Sequence, residues 1–436
     1  MTKQHYESYK ETGNPWLGKV PSDWQVRRAD FVIKSRKLQI SPSDLESRDV
    51  YHYAIPTVQA TGAGTVEEGE SIDSGKLIIN EPQVLVSKLN PRKATVTIAE
   101  PHPDYLTVAS TEFVPIIPWE ADLNYMFYVW KSQKVTDRLS SFVQSVTRSH
   151  QRCDPAEITK ITWAWPSEGK QQKIAAFLDR KTAEIDTLIA KKRRLLERLA
   201  EKRTALITRA VTKGLNPDAP MKDSGIEWLG EIPAHWGVSR VKFFAAVGNG
   251  STPSRENADY WVGGDYPWLN SGVVNKASVT EADQFVTKSA LRECHLPIID
   301  PPAILLGITG QGKTRGMATK LEIQATINQH LVFVKPDERV FDIDYLYAIF
   351  ERAYLYLRSE SDGGGSTKGA ITCGQVENLC VPLPPVSEQR EIALALQEGQ
   401  VELHGVSRKI GKAIDRLEEY RSALITNAVT GQIKVA

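Results

Sequence analysis

The residues most suggestive of chemistry lie in the second half of the chain. Gly307-Ile308-Thr309-Gly310-Gln311-Gly312-Lys313-Thr314 fits the phosphate-loop pattern G-x4-G-K-[ST] and follows an apolar run, Ile304-Leu305-Leu306. In a nucleotide-binding loop of that type the backbone amides cradle phosphates at the start of a helix, so a helix should begin at the lysine. Here Arg315-Gly316-Met317 follows, with no amphipathic period and a glycine in what would be the first turn. An NTPase is therefore carried only as an alternative. Asp300-Pro301-Pro302-Ala303 is one residue from the [DNS]-P-P-[YFW] tetrapeptide of amino-methyltransferases, but Ala303 cannot stack on a flipped base. Gly248-Asn249-Gly250 lacks the third glycine of a cofactor loop, and Cys294-His295 has no further ligands nearby in the sequence. No Ser/His/Asp order, HExxH or paired carboxylate stands out. The chain reads as non-catalytic, with no cofactor or metal of its own.

What remains is polar and basic side chains on loops that follow apolar runs. Lys88, Asn90, Arg92 and Lys93 form one set, and Gln311, Lys313, Thr314 and Arg315 form another. Arginine and lysine donate to guanine O6 and N7, and Asn or Gln pairs with adenine N6 and N7, so such loops suit major-groove readout. A second cluster, Arg148 with Gln151 and Arg152, corresponds to the stretch around Lys368. Solvated hairpins remain the competing reading of any one of these residues.

The elements that must position these loops are written twice. Thr12 to Trp24 recurs as Ser224 to Trp236, with Trp-Leu-Gly-x-[Val/Ile]-Pro-x-x-Trp in both copies. Arg203-Thr204-Ala205-Leu206-Ile207-Thr208-Arg209-Ala210-Val211-Thr212 returns as Arg421-Ser422-Ala423-Leu424-Ile425-Thr426-Asn427-Ala428-Val429-Thr430. Gln171 matches Gln389, and Asp122-Leu123-Asn124-Tyr125 matches Asp342-Ile343-Asp344-Tyr345. A repeat on this scale sets the architecture before any residue is read. Each copy is a diverged globular part followed by a matched helical segment.

From Lys170 to Lys213 there is no Pro or Gly, and Leu178, Ile185, Leu199 and Leu206 fall on one seven-residue register with Lys192 as its polar member. The second copy fills the register with Leu396, Leu403, Ile410, Leu417 and Leu424. A strict heptad stripe is the seam of a coiled coil, so the two helices are expected to pair with each other. Gly399, Gly405 and Gly411 weaken the second helix by up to ~1 kcal/mol each relative to Ala. The globular parts mix short β-type runs with helix-like stretches, Tyr125 to Leu139 and Tyr345 to Leu357. The expected fold is therefore two mixed α/β (α+β) domains joined by two long helices: domain 1–166, helix 167–214, linker and second domain 215–385, helix 386–436.

Composition bounds the rest. The 436 residues are 41% hydrophobic and 25% charged, which excludes collagenous and disordered classes. No run reaches the ~18–20 apolar residues of a bilayer span, and the N-terminus has no apolar signal core, so a cytoplasmic protein is expected. Four cysteines without a CxxC pair read as buried small hydrophobes. The formal charge of +1 is an average, because residues 170–213 carry 13 basic and 5 acidic side chains, a net of +8. Such a rod either presents a solvated face or meets something acidic.

The duplicated Trp-Leu-Gly-x-[Ile/Val]-Pro-x-x-Trp, the Gln-x-x-Ile-Ala that starts each helix (Gln171 to Ala175, Gln389 to Ala393) and the Ala-Leu-Ile-Thr-x-Ala-Val-Thr that ends it resemble a type I restriction–modification specificity subunit, HsdS. The resemblance covers essentially the whole chain. It implies two target-recognition domains separated by two antiparallel helices. It further implies double-stranded DNA and two modification (adenine methyltransferase) subunits as partners, with restriction subunits completing a nuclease. S-adenosylmethionine, ATP and Mg would then belong to the partner subunits. Two diverged readers imply an asymmetric, bipartite target with an unread spacer. A coiled-coil scaffold that binds no DNA is the other alternative.

Overall fold

The computed structural model describes residues 5–145, 151–310, 312–362 and 369–435. It divides into two compact units, residues 1–193 with 411–436, and residues 194–410. These units cut across the boundaries drawn from sequence, because each holds one globular part together with portions of both long helices. The helices run unbroken over Glu168–Lys213 and Val386–Val429. Gly399, Gly405 and Gly411 all lie inside the second without interrupting it.

In the first unit the central sheet has the order Val96–Ala99, Gln83–Ser87, Phe113–Pro118, Ile33–Lys34. Gln83–Ser87 is buried along its whole length, which explains its near-continuous apolar run, Val84-Leu85-Val86. In the second unit the corresponding order is Ala318–Leu321, Ala303–Gly307, Leu331–Pro336, Ala245–Asn249, with Ser278–Val279 added at the edge. Each unit has a second sheet built around one parallel pair. That pair is Asp49–Tyr53 with Leu106–Ser110 in the first, and Tyr266–Leu269 with Thr326–Ile327 in the second. The second sheet has five strands in the first unit and three in the other, so the copies differ most there.

The matched sequence blocks are the joints between each globular part and the helices. Gln171 is 2% exposed and Gln389 is 0% exposed. Gln171 Oε1 accepts from Asp122 N at 2.9 Å while its Nε2 donates to Pro166 O at 2.9 Å. Gln389 repeats both bonds with Asp342 N and Pro384 O, each 2.9 Å, and adds Val340 O at 2.9 Å. The aspartates thus tied are themselves caps: Asp122 Oδ1 accepts from Tyr125 N at 2.8 Å and Asp342 Oδ1 from Tyr345 N at 3.1 Å. The sequence suggested one helix from Tyr125 to Leu139, but the first copy breaks it into Leu123–Lys131 and Gln133–Ser141. Buried Ser132 adopts an extended backbone there and caps the second piece. The second copy keeps a single helix, Ile343–Asp362.

The far ends of the helices close on the tryptophan motifs. After Lys213 the chain turns through Gly214 at φ +68°, where an added methyl would sit 3.1 Å from Trp236 Cζ2. After Val429 it turns through Gly431 at φ +70°, where a methyl would run into the Pro21 ring and sit 3.3 Å from Trp24. Only glycine meets both demands, a left-handed backbone and no side chain. Trp24 and Trp236 are fully buried by this arrangement. Tyr9 Oη donates to Gly431 O at 3.0 Å and Gln432 Nε2 to Lys19 O at 2.9 Å, so the turn that follows the second helix is bonded to the start of the first copy.

Heptad residues are covered in each unit. Leu178 and Ile185 are buried in the first, with Leu424 buried and Leu417 half-buried beside them. In that unit Asp186 pairs with Arg421, and Arg193 with Glu418 at 3.0 Å. Partners that rise on one helix fall on the other, so the two segments run antiparallel. In the second unit Leu396, Leu403 and Ile410 are buried, while Leu199 and Leu206 are half-buried. A methyl added at Gly399 would lie 3.1 Å from Leu206 Cδ2. Part of the first helix's basic excess is matched by carboxylates outside it, since Lys170 pairs with Asp23, Arg193 with Glu418 and Arg203 with Glu351.

Candidate nucleic-acid interface

The described residues of the loop clusters picked from sequence lie at one end of each central sheet. In the first unit the strands Gln83–Ser87 and Val96–Ala99 are antiparallel neighbours, and residues 88–95 turn between them. That turn is sharply bent, with Asn90 at φ +49° and Ala94 at φ +46°. Asn90 N donates to Gln151 O at 2.7 Å, and Asn90 Oδ1 accepts from Gln151 N at 3.3 Å. Lys88 O accepts from Cys153 N at 3.0 Å. Two sequence clusters some sixty residues apart are therefore one surface, laced by backbone bonds.

Arg92 and Lys93 stand exposed on the short 3-10 turn Pro91–Lys93, while Lys88 and Asn90 are half-buried. Lys93 Nζ donates to Gln59 Oε1 at 3.3 Å, and Gln59 Nε2 donates to Thr95 Oγ1 at 3.0 Å. Arg152 is committed elsewhere. Its Nε and Nη2 each donate at 3.0 Å to a different carboxylate oxygen of Glu112, a bidentate fork. That pair raises the pKa of the guanidinium and pins the 151–153 segment beside the turn, so Arg152 acts here as a brace. Sequence reasoning missed Glu112 and Gln59, for neither lies near the basic clusters along the chain.

In the second unit the phosphate-loop pattern is a hairpin. Gly307 ends a strand whose antiparallel neighbour is Ala318–Leu321, and no helix starts at Lys313. Gly307 N donates to Met317 O at 2.9 Å and Gly316 N to Gly307 O at 2.7 Å. The hairpin's carbonyls face the helix Ile343–Asp362: Arg358 Nη1 donates to Gly312 O (2.8 Å) and Arg315 O (3.0 Å), and Tyr354 Oη to Lys313 O (3.0 Å). A phosphate cradle needs converging amides ahead of a helix; among the described residues of this loop no helix starts, and the carbonyls of Gly312, Lys313 and Arg315 are engaged by Arg358 and Tyr354, which gives the NTPase reading no support.

Lys313 is exposed and Thr314 half-buried. Arg315, expected on the reading edge, is instead 5% exposed, because the hairpin folds back against Tyr354 and Arg358. Ile371 N donates to Ile308 O at 2.9 Å, so the chain after residue 368 reaches this same hairpin. Arg148, Gln311 and Lys368 lie outside the described residues. The Asp300-Pro301-Pro302 segment is held structurally, Asp300 Oδ1 accepting from Gln324 Nε2 at 2.5 Å and both proline carbonyls from Lys335 Nζ at 3.1 Å.

Comparison with known proteins agrees with this geometry. Residues 233–403 match the model of the type I restriction modification DNA specificity domain. The chain is 22% identical to a protein named as type I restriction enzyme MjaX specificity subunit from Methanocaldococcus jannaschii, over 98% of this chain and 97% of that one. It is 24% identical to the EcoR124I/EcoR124II specificity subunit of Escherichia coli over 47% of this chain and 49% of that one. Among solved structures, a chain from work on complex assembly and conformational transition of the type I R-M system superposes with a TM-score of 0.73 at 17% identity, covering 95% of this chain and 99% of that one. The HsdS subunit from Thermoanaerobacter tengcongensis gives 0.52 at 16% identity, covering 95% and 98%. Those likenesses establish the fold, two mixed α/β parts with two long helices.

Proposed function

We infer that this chain belongs to the type I restriction–modification specificity subunits and is the DNA-recognition subunit of such a system. The observation that carries the reading is a duplicated scaffold with unlike loops. The same sheet order and the same buried Gln–Asp joint occur twice, while the hairpins at the sheet ends carry Arg92 and Lys93 in one copy and Lys313 in the other. Identical joints suit identical partners, and divergent loops suit different base sequences.

In this reading each globular part reads one half of an asymmetric bipartite site in double-stranded DNA. The helix pair sets the unread spacer and docks two modification subunits, with restriction subunits joining the complex. Catalysis, S-adenosylmethionine, ATP and Mg belong to those partners, and this chain contributes recognition alone. Base contacts specify while phosphate contacts dominate affinity, so a near-neutral chain can specify a site whose phosphates the partners grip. The long helix supplies basic side chains that the fold leaves exposed, among them Lys191 and Arg194.

The test is selection from random duplexes with the chain alone and with cognate modification subunits. The reading expects an enriched two-part motif from the complex and weak, poorly discriminating binding from the chain alone. No enriched motif from the complex would sink it. The DNA-free scaffold expects that outcome.

A further inference from the structure

The turn between the strands Thr326–Ile327 and Leu331–Pro336 lies beside the 308–317 hairpin, since Ile308 N donates to His330 O at 3.0 Å. The turn itself is locked. Buried Asn328 accepts from His330 N through Oδ1 at 3.0 Å and donates its own N–H to Leu269 O at 3.0 Å. Around it three loops bring together four polar side chains: Thr252, Thr309, Gln329 and His330.

His330 Nδ1 lies 3.0 Å from Thr309 Oγ1, and its Nε2 lies 3.3 Å from Gln329 Nε2. An amide nitrogen can only donate, so Nε2 accepts and Nδ1–H donates to the threonine, which assigns the imidazole tautomer. On the other side Gln329 Oε1 accepts from Thr252 Oγ1 at 2.6 Å. The exposed Gln329 carboxamide is thus held at both ends, with one N–H and one lone pair spent on neighbours. One N–H and one lone pair remain. A glutamine amide with both available matches the adenine edge, donating to N7 and accepting from N6.

The equivalent turn of the first copy, between Leu106–Ser110 and Phe113–Pro118, carries Glu112 instead, engaged by Arg152. The two copies therefore differ in side-chain chemistry at the same place in the fold, as readers of unlike half-sites should.

We propose that Gln329 reads an adenine in the half-site recognised by the second globular part, and that Thr252 and His330 are positioning residues that fix its amide. The inference rests on the DNA-specificity reading above. Without fixed neighbours the amide would rotate between donor and acceptor presentations, and discrimination at that base would fall even though Gln329 remained.

The experiment is selection from randomised duplexes by the full complex with its modification subunits, using wild type, Gln329→Ala, Gln329→Glu, Thr252→Val and Thr252→Ser. Wild type should require adenine at one position that Gln329→Ala relaxes by tenfold or more, with the other half-site unchanged. Gln329→Glu, an acceptor only, should shift that position toward cytosine, whose N4 donates. Thr252→Val should relax the same position partially and Thr252→Ser restore it, a rescue that loss of folding would not show. An unchanged motif in Gln329→Ala, a relaxed base other than adenine, or an even loss across both half-sites would each overturn the proposal. If wild-type complex enriches no motif, the DNA-specificity reading fails first, and the two failures are distinguished by that control.

Discussion

Replacing Gln389 by alanine tests whether the duplicated glutamine is a structural joint. Its amide makes three bonds of 2.9 Å at a fully buried site, to Asp342 N, Val340 O and Pro384 O. A buried group left without its partner costs ~1–3 kcal/mol, and carbonyls with a second lone pair sit at the lower end. Three such groups, plus the cavity left by the side chain, give a loss of ~3–5 kcal/mol, a large share of the ~5–15 kcal/mol typical of a folded domain. Gln171 makes two of these bonds, so Gln171→Ala should cost ~1 kcal/mol less. Gln389→Met keeps most of the volume and drops the bonds, which separates the cavity from the hydrogen bonding. The assay is urea unfolding followed by circular dichroism, fitted for as many transitions as the two units produce. A loss below ~1 kcal/mol for Gln389→Ala, or a larger loss at Gln171, would refute the joint as described.

Other expectations follow from the same contacts. Gly405→Ala and Gly411→Ala should each stabilise the second helix by up to ~1 kcal/mol, since a methyl meets nothing within 4 Å at either, whereas Gly399→Ala should gain less because Leu206 stands in the way; thermal unfolding ranks the three. Gly431→Ala should destabilise the chain, since the methyl meets the rigid Pro21 ring and the left-handed backbone adds ~1 kcal/mol or more of strain; the same melts check it. In the complex, Arg92→Ala should cost ~1–3 kcal/mol of binding and relax one half-site if the arginine reads a base, measured by titration against single-base variants. The Cys153 thiol, pushed up to about 11 chiefly by burial, should resist iodoacetamide at pH 8 in the folded chain and react in urea, read by mass spectrometry.

The scaffold was legible because its signals are local and repeated. Heptad leucines, proline-free helical stretches and paired tryptophan motifs each encode one element, and the repeat doubles these signals, whereas freedom from glycine marks only the first helix, from Lys170 on. The roles of Gln171 and Gln389 were visible as a match but not as a mechanism, because the aspartates they hold lie 49 and 47 residues upstream. The break at Ser132 escaped notice because serine is neutral enough in a helix to be overridden by tertiary context. At the sheet ends, basic clusters marked the right loops but not the right atoms. Arg152 is claimed by Glu112, forty residues away, and Arg315 is covered by a helix whose contact with the hairpin no spacing reveals. The weakness of the phosphate-loop pattern was legible, because Arg315-Gly316-Met317 carries no helical period, and the next element is indeed a strand.

The central claim is that two unlike readers share one chain. It is tested most directly by sequencing methylated bases in DNA from cells carrying this chain with its modification subunits, before and after residues 215–385 are exchanged for those of a relative. The account expects an asymmetric two-part motif with an unread spacer, of which the exchange alters one half and leaves the other intact. A single continuous motif, or an exchange that changes both halves or neither, would contradict it.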